Sequence, residues 1–300
     1  MRQHAAVQTC GHPALTPAQR HFAVENDTET PAERHILRPG SLVLLNWRRA
    51  RLLKAAHWSL ISLATGLLAG TFLLTNGTSP LFRFWAGVFL LASEVLAVTG
   101  CELADTRCLG SSHVEIVNAL PPILIGALFF LGATATAASL EASWWMWLLG
   151  LAAGISTVVQ CAAFEGAKRL YQSAAGAGVR IRRETLLEIS LRRHEAALRG
   201  SKTEELIWRG YDDFRRLQQH LVPNQPKGSA DQFWRLNRKR ISLWALLGRR
   251  INFVWLAAAA LVSAFSPVAL VAVLGGIICA GNLILLLLLM AGWKTRSVNA

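Results

Sequence analysis

The sequence predicts an all-α integral membrane protein, with six transmembrane helices, an N-terminal interfacial helix and a cytoplasmic helical hairpin insert. Three observations carry this reading. Of 300 residues, 53% are hydrophobic and only 16% charged, against about 25% charged in an ordinary soluble domain. The apolar residues are gathered into long runs. The Lys and Arg residues between those runs fall almost entirely on one side.

The runs cover about His57–Asn76, Leu81–Thr99, Val114–Leu140, Trp144–Phe164, Ile251–Ser266 and Pro267–Trp293. A bilayer crossing needs about 20 apolar residues, so each is a candidate span. Trp58, Trp85, Trp144, Trp145, Trp255 and Trp293 lie near their ends, where amphipathic rings settle at the headgroups. The fifth run is short and meets the sixth at Ser266-Pro267, which predicts a tight turn. Residues 1–56 hold 8 Lys and Arg and residues 165–250 hold 19. With both termini in the cytoplasm, all but 1 of the 31 basic residues face inward. Positive loops stay inside, so the chain is expected in the cytoplasmic (inner) membrane, multi-pass, with both ends inside.

A net charge of +13 would suggest nucleic acid in a soluble chain. Here no groove-reading or stacking motif accompanies it, and basic loops held against anionic lipid account for it. The five cysteines are scattered and two lie inside apolar runs, which argues against a disulfide framework.

In order, residues 1–40 read as a polar, disordered cytoplasmic tail. Residues 41–164 hold the interfacial helix and the first four spans. In Ser41–Ala55, Leu42, Leu44, Leu45, Trp47, Leu52 and Leu53 alternate with Arg48, Arg49, Arg51 and Lys54, the pattern of a helix lying in the membrane surface. Gly66–Gly70 and Gly150–Gly154 have the spacing that lets helix backbones approach closely. Residues 165–250 form the basic cytoplasmic insert. Ser201-Lys-Thr-Glu204 has a capping-box pattern and opens a helix, preceded by a partner helix ending at Gly200 and followed by a linker at Pro223–Ser229. Residues 251–300 hold the last two spans and a short tail.

The chemistry is expected in Ala97–Pro122, which gathers Glu102, Asp105, Arg107, His113, Glu115 and Asn118. Glu94 lies just before it inside an apolar run, where an ionisable group is expensive. Glu102 and Asp105 share a face if the second span continues as a helix. Carboxylates clustered at a membrane surface can hold Mg²⁺ or Mn²⁺, which then bridges a diphosphate. The same residues could instead cap helix ends and pair with Arg107. Cys101, Cys108 and His113 match no zinc spacing, and no Walker loop, dinucleotide fingerprint or nucleophile elbow is present.

Six spans, the interfacial helix, cytoplasmic termini and the polar second connection together resemble the CDP-alcohol phosphatidyltransferase family over residues 40–293. The stretch from Phe164-Glu165 through Tyr211 and Gln218 to Ser242–Gly248 and Gly281-Asn282 looks like members with a large loop between spans four and five. The resemblance implies transfer of a phosphoryl-linked group from a CDP-linked lipid or alcohol to a hydroxyl, releasing CMP, with a divalent metal. The family motif is D-x2-D-G-x2-A-R, then G-x3-D-x3-D. With Ala104-Asp105 at its A-R pair, Ala97, Gly100 and Cys101 stand at the first D, second D and G, and Asn118 and Pro122 at the last two D positions. Taking Glu102 and Asp105 as the first pair puts Thr106 at the glycine. Either way the motif is degenerate, and a proline cannot deprotonate a hydroxyl.

Three readings follow. As a transferase, the chain would use Glu102 and Asp105 as metal ligands, Glu115 as replacement base and Mg²⁺ or Mn²⁺ as cofactor. As a non-catalytic protein, it would dock a partner or anionic lipid on its basic hairpin. As a transporter, it would use Glu94 and the Pro121-Pro122 pair. The partners expected are membrane lipid, a CDP-linked lipid or alcohol, and a second copy of the chain.

Overall fold

The computed structural model describes residues 23–24, 26–46, 53–106, 112–175, 186–222 and 230–293, with the side chains at 55, 104–106, 112–121, 186 and 231 outside the description. The described residues are helical, without a strand. A π-helical turn at Glu33–Leu37 leads into α1 (Arg38–Leu45). Four long helices follow: α2 (Ala55–Asn76), α3 (Pro80–Thr106), α4 (Ser112–Glu141) and α5 (Trp145–Ala174). Three polar helices come next, α6 (Leu186–Leu198), α7 (Lys202–Leu221) and α8 (Ala230–Trp244). The chain closes with α9 (Arg249–Ser263), α10 (Val268–Gly276), a π-helical turn at Ile277–Gly281, and α11 (Asn282–Ala291).

Five helices are long and apolar enough to cross a membrane: α2, α3, α4, α5 and the unit from Val268 to Ala291. A sixth crossing arises if Gln232–Leu247 and Arg249–Ser263, bent by 43° at Gly248, count as one. The fold is that of an all-α membrane protein. The weakness of the fifth run in sequence has a structural cause, since α9 supplies only 15 residues and starts with two arginines. Gly248 stands at the bend in an extended conformation, and close packing there leaves no room for a side chain. A Cβ there would lie 2.8 Å from Thr30 Cγ2 and 3.1 Å from Phe164 Cε1.

Apolar side chains from α2, α3, α4, α9 and α10 form the main core, with Leu73, Leu90, Phe129, Leu256 and Leu274 fully buried. Polar groups inside it are spent on helix backbones: Ser62 Oγ donates to Ser93 O at 2.8 Å and Thr136 Oγ1 to Leu73 O at 3.0 Å. A second core, at the end of the bundle carrying α8, holds Tyr171, Phe233, Trp244 and Leu285. Trp293 stacks there on Trp244, with ring centroids 6.4 Å apart.

The π-helical turn interrupts the last crossing, and a π turn leaves backbone groups outside the regular ladder. Buried Gln160 of α5 answers this, donating from Nε2 to Ile277 O at 2.9 Å and to Asn282 Oδ1 at 3.0 Å. Asn282 Nδ2 in turn donates to Ser156 Oγ at 2.9 Å. Gly281 leaves room for this network, since a Cβ there would lie 2.7 Å from Gln160 Cδ. Gln160→Leu should therefore cost about 1–3 kcal/mol, the usual cost of an orphaned buried polar group. An unchanged melting temperature in detergent would remove the π turn's dependence on Gln160.

Two expectations need correction. The tail assigned to residues 1–40 does not extend that far: Val24, Asp27, Thr28 and Thr30 are buried. The helix expected at Ser41–Ala55 ends at Leu45, and α2 starts afresh after an extended Lys54 with ψ 155; residues 47–52 lie outside the description. Instead of standing alone, α1 packs on α3, where a Cβ on Gly40 would sit 3.1 Å from Val95 Cγ1. In the insert, α6 ends at Gly200 with φ +72, a left-handed stop. Ser201 N–H donates to Ala196 O and Gly200 N–H to Ala197 O, the paired bonds of a Schellman closure. The next helix begins where the capping-box pattern placed it, but Ser201 makes no side-chain cap bond. Glu204 instead pairs with Arg199 at 3.0 Å.

Candidate functional site at the polar end of the bundle

Glu94 lies about two turns before the adjacent Cys101 and Glu102 on α3, and all three meet residues of α1 or α9. The first turn of α9 brings Arg249 and Arg250 to that side, just beyond the Gly248 bend. The segment before α1 closes over them. Thr30 N–H donates to Glu33 Oε2 at 2.7 Å and Glu33 N–H to Thr30 Oγ1 at 3.1 Å. This reciprocal pair is a capping box, and it fixes the Glu33 carboxylate against Arg250.

Each cation in the cluster has an acid against it. Arg250 bonds Glu33 and lies with Nη2 3.8 Å from Cys101 Sγ. Arg38 reaches both Glu29 and Glu102, the latter at 3.3 Å. Arg249 Nη2 is 4.0 Å from Glu94 Oε2, whose side chain is only 2% exposed. Arg249 also lies over the Phe253 ring, 5.8 Å from its centroid. Burial alone would raise the Glu33 pKa, but Arg250, Lys168 and the two Thr30 bonds outweigh it and hold the carboxyl below its ordinary value.

A second buried acid anchors the same N-terminal segment. Asp27 accepts from Tyr171 OH at 3.1 Å, Trp234 Nε1 at 3.0 Å and Arg238 Nε at 2.8 Å. One carboxylate thus ties the N-terminal segment to α5 and α8.

Of the residues singled out in sequence, Glu102 sits on the penultimate turn of α3 in the ion pair with Arg38. Asp105 is in the last turn of α3 and Glu115 in the first turn of α4; their side chains lie outside the described residues, as do Arg107 and Cys108. Glu94 is in the cluster. The residues that sequence reading missed are Asp27, Glu29, Glu33, Arg38, Arg249 and Arg250. A signal for the first group existed in Thr30-Pro-Ala-Glu33, a capping box with proline at the first helical position.

Of Glu102, Asp105 and Glu115, only Glu102 has a described side chain, and it pairs with Arg38. In the motif frame set out above, the first two aspartate positions carry Ala97 and Gly100 and the glycine position carries Cys101. Among the described residues no group of three His, Cys, Asp or Glu side chains could hold a metal ion. What the arrangement does chemically is join the N-terminal segment to α3 and α9 through matched charges. Comparison with protein families, with curated proteins and with solved structures finds no match to this chain.

Proposed function

We propose that this is a non-catalytic protein of the cytoplasmic membrane, built like a CDP-alcohol phosphatidyltransferase, whose cytoplasmic helices bind a ligand without turning it over. The observation that supports this best is Arg38, which takes up Glu102 and Glu29 together. A divalent cation at Glu102 would have to displace the Arg38 guanidinium that already faces its carboxylate. The Arg38–Glu102 pair is half-exposed, so this competition is one of occupancy, with a positive charge already set against the carboxylate.

The test is CMP release by purified protein in detergent–lipid micelles containing CDP-diacylglycerol, Mn²⁺ or Mg²⁺ and mixed polyol acceptors. The expected result is no release above background and no metal dependence. Metal-dependent release that disappears in Asp105→Ala would overturn the proposal and make Glu102 and Asp105 the ligands and Glu115 the base. Solute flux into proteoliposomes that is lost in Glu94→Gln would overturn it in favour of transport.

A further inference from the structure

We infer that the outward stripe of α8 binds anionic phospholipid, with Arg235 and Lys239 taking the headgroup phosphate and Leu243 resting on the acyl chains. The inference deepens the binding reading above and rests on it.

The height of α8 follows from two contacts. Arg240 Nη1 donates to Ala291 O at 3.1 Å, the last residue of the last crossing. Trp244 stacks on Trp293, two residues further on, and tryptophans gather where hydrocarbon gives way to headgroups. From Trp244 the chain turns by 43° at Gly248 and enters α9. The far end of α8 therefore lies at the membrane surface, and its near end rises from it.

Residues four apart share a helix face, so Arg235, Lys239 and Leu243 form one stripe about 12 Å long at 1.5 Å per residue. All three are exposed, Leu243 by 51%. Their order along the rise is apolar next to the bilayer and basic above it, the arrangement in which long cationic side chains reach headgroups. Their neighbours are occupied: Arg238 holds Asp27 and Arg240 caps Ala291. Among the described residues, Arg235 and Lys239 have neither an ion pair nor a hydrogen bond. The general excess of basic residues on inward loops accounts for their sign. It does not account for two cations, without an ion pair among the described residues, aligned over an exposed leucine at the bilayer's edge.

By contrast α6 and α7 are a weaker candidate. Over residues 186–221 they carry Arg192, Arg193, Arg199, Lys202, Arg209, Arg215 and Arg216 against six acids, so they offer an anionic surface little net attraction. The basic hairpin expected in sequence thus hands the lipid role to α8.

The experiment uses the full chain in neutral detergent, titrated separately with phosphatidylglycerol, phosphatidylcholine and inorganic phosphate, with melting temperature as readout. Phosphatidylglycerol should raise it, and neither of the others should. In the Arg235→Gln, Lys239→Gln double variant the apparent affinity for phosphatidylglycerol should fall roughly tenfold or more. The variant's lipid-free melting temperature should match that of the parent, because both side chains are exposed. An equal response to phosphatidylcholine, a response to phosphate alone, or a double variant that keeps its affinity would each overturn the inference. The CMP-release assay is independent of all three. Absent release together with absent lipid selectivity would refute the α8 site while leaving the non-catalytic reading in place.

Discussion

Arg250→Met should destabilise the protein by about 3–5 kcal/mol, the range for breaking a buried ion pair from one side. The Glu33 and Arg250 side chains are 15% and 19% exposed. Removing the guanidinium leaves a carboxylate that is held by the Thr30 bonds and has lost its nearest opposite charge. Adding Glu33→Gln should restore most of the loss, since replacing both partners of a buried pair is often close to neutral. Melting in detergent for the parent, both single variants and the double variant gives the coupling directly. The pH dependence follows from the same pair. The folded Glu33 pKa lies below its ordinary value, so its contribution is fully present above the unfolded pKa of about 4.3. It is lost as pH falls through the lower folded value. The double variant should lack this part of the acid limb. If Arg250→Met and the double variant melt alike, the charge pair does not hold the N-terminal segment down.

The apolar runs made the crossings legible because nothing but a bilayer or a very large core absorbs such stretches. Their ends were harder to place. The fourth apolar run ends at Phe164, yet α5 continues to Ala174, because its last turns bury Ala167 and Tyr171 against α8 rather than against lipid. The N-terminal segment was misread for a related reason. Its Asp27 and Glu33 look like solvated tail residues until their partners arrive, and those partners lie far away in the chain, on Arg238 and Arg250. Composition sees polarity, while the pairing that lets a charge be buried is tertiary. Glu102 shows both sides of this. Its place in a polar patch beside a span was readable, but its engagement by Arg38 depends on how α1 lies against α3. The stop at Gly200 was readable because a left-handed closure is local and favours glycine.

Gly132→Ala should cost about 1–3 kcal/mol, the range for overpacking a close interface, and Gly132→Leu should prevent the protein from reaching a monodisperse folded state. A Cβ at Gly132 would lie 2.7 Å from Gly70 O, 2.8 Å from Leu73 Cβ and 3.1 Å from Leu74 N. Two of these three are backbone atoms of α2, which cannot turn aside as a side chain can. The glycine pair recognised by spacing, Gly66 and Gly70, lies on the facing helix, against Ile125 and Leu128. Close approach of α2 and α4 thus needs Gly132 as well as the two glycines that sequence spacing reveals. The graded outcome follows from what opposes each position. Gly66→Ala meets only the Ile125 side chain and should be milder than Gly132→Ala. Gly154→Ala, with nothing within 4 Å, should be neutral or slightly stabilising, since alanine is favoured over glycine in a helix by about 1 kcal/mol. Size-exclusion profile and melting temperature across the four variants test the order. If Gly154→Ala proves as damaging as Gly132→Ala, helix approach in this bundle is not governed by the α2–α4 contact, and the open face at Gly154 would mark a surface used by a second copy of the chain.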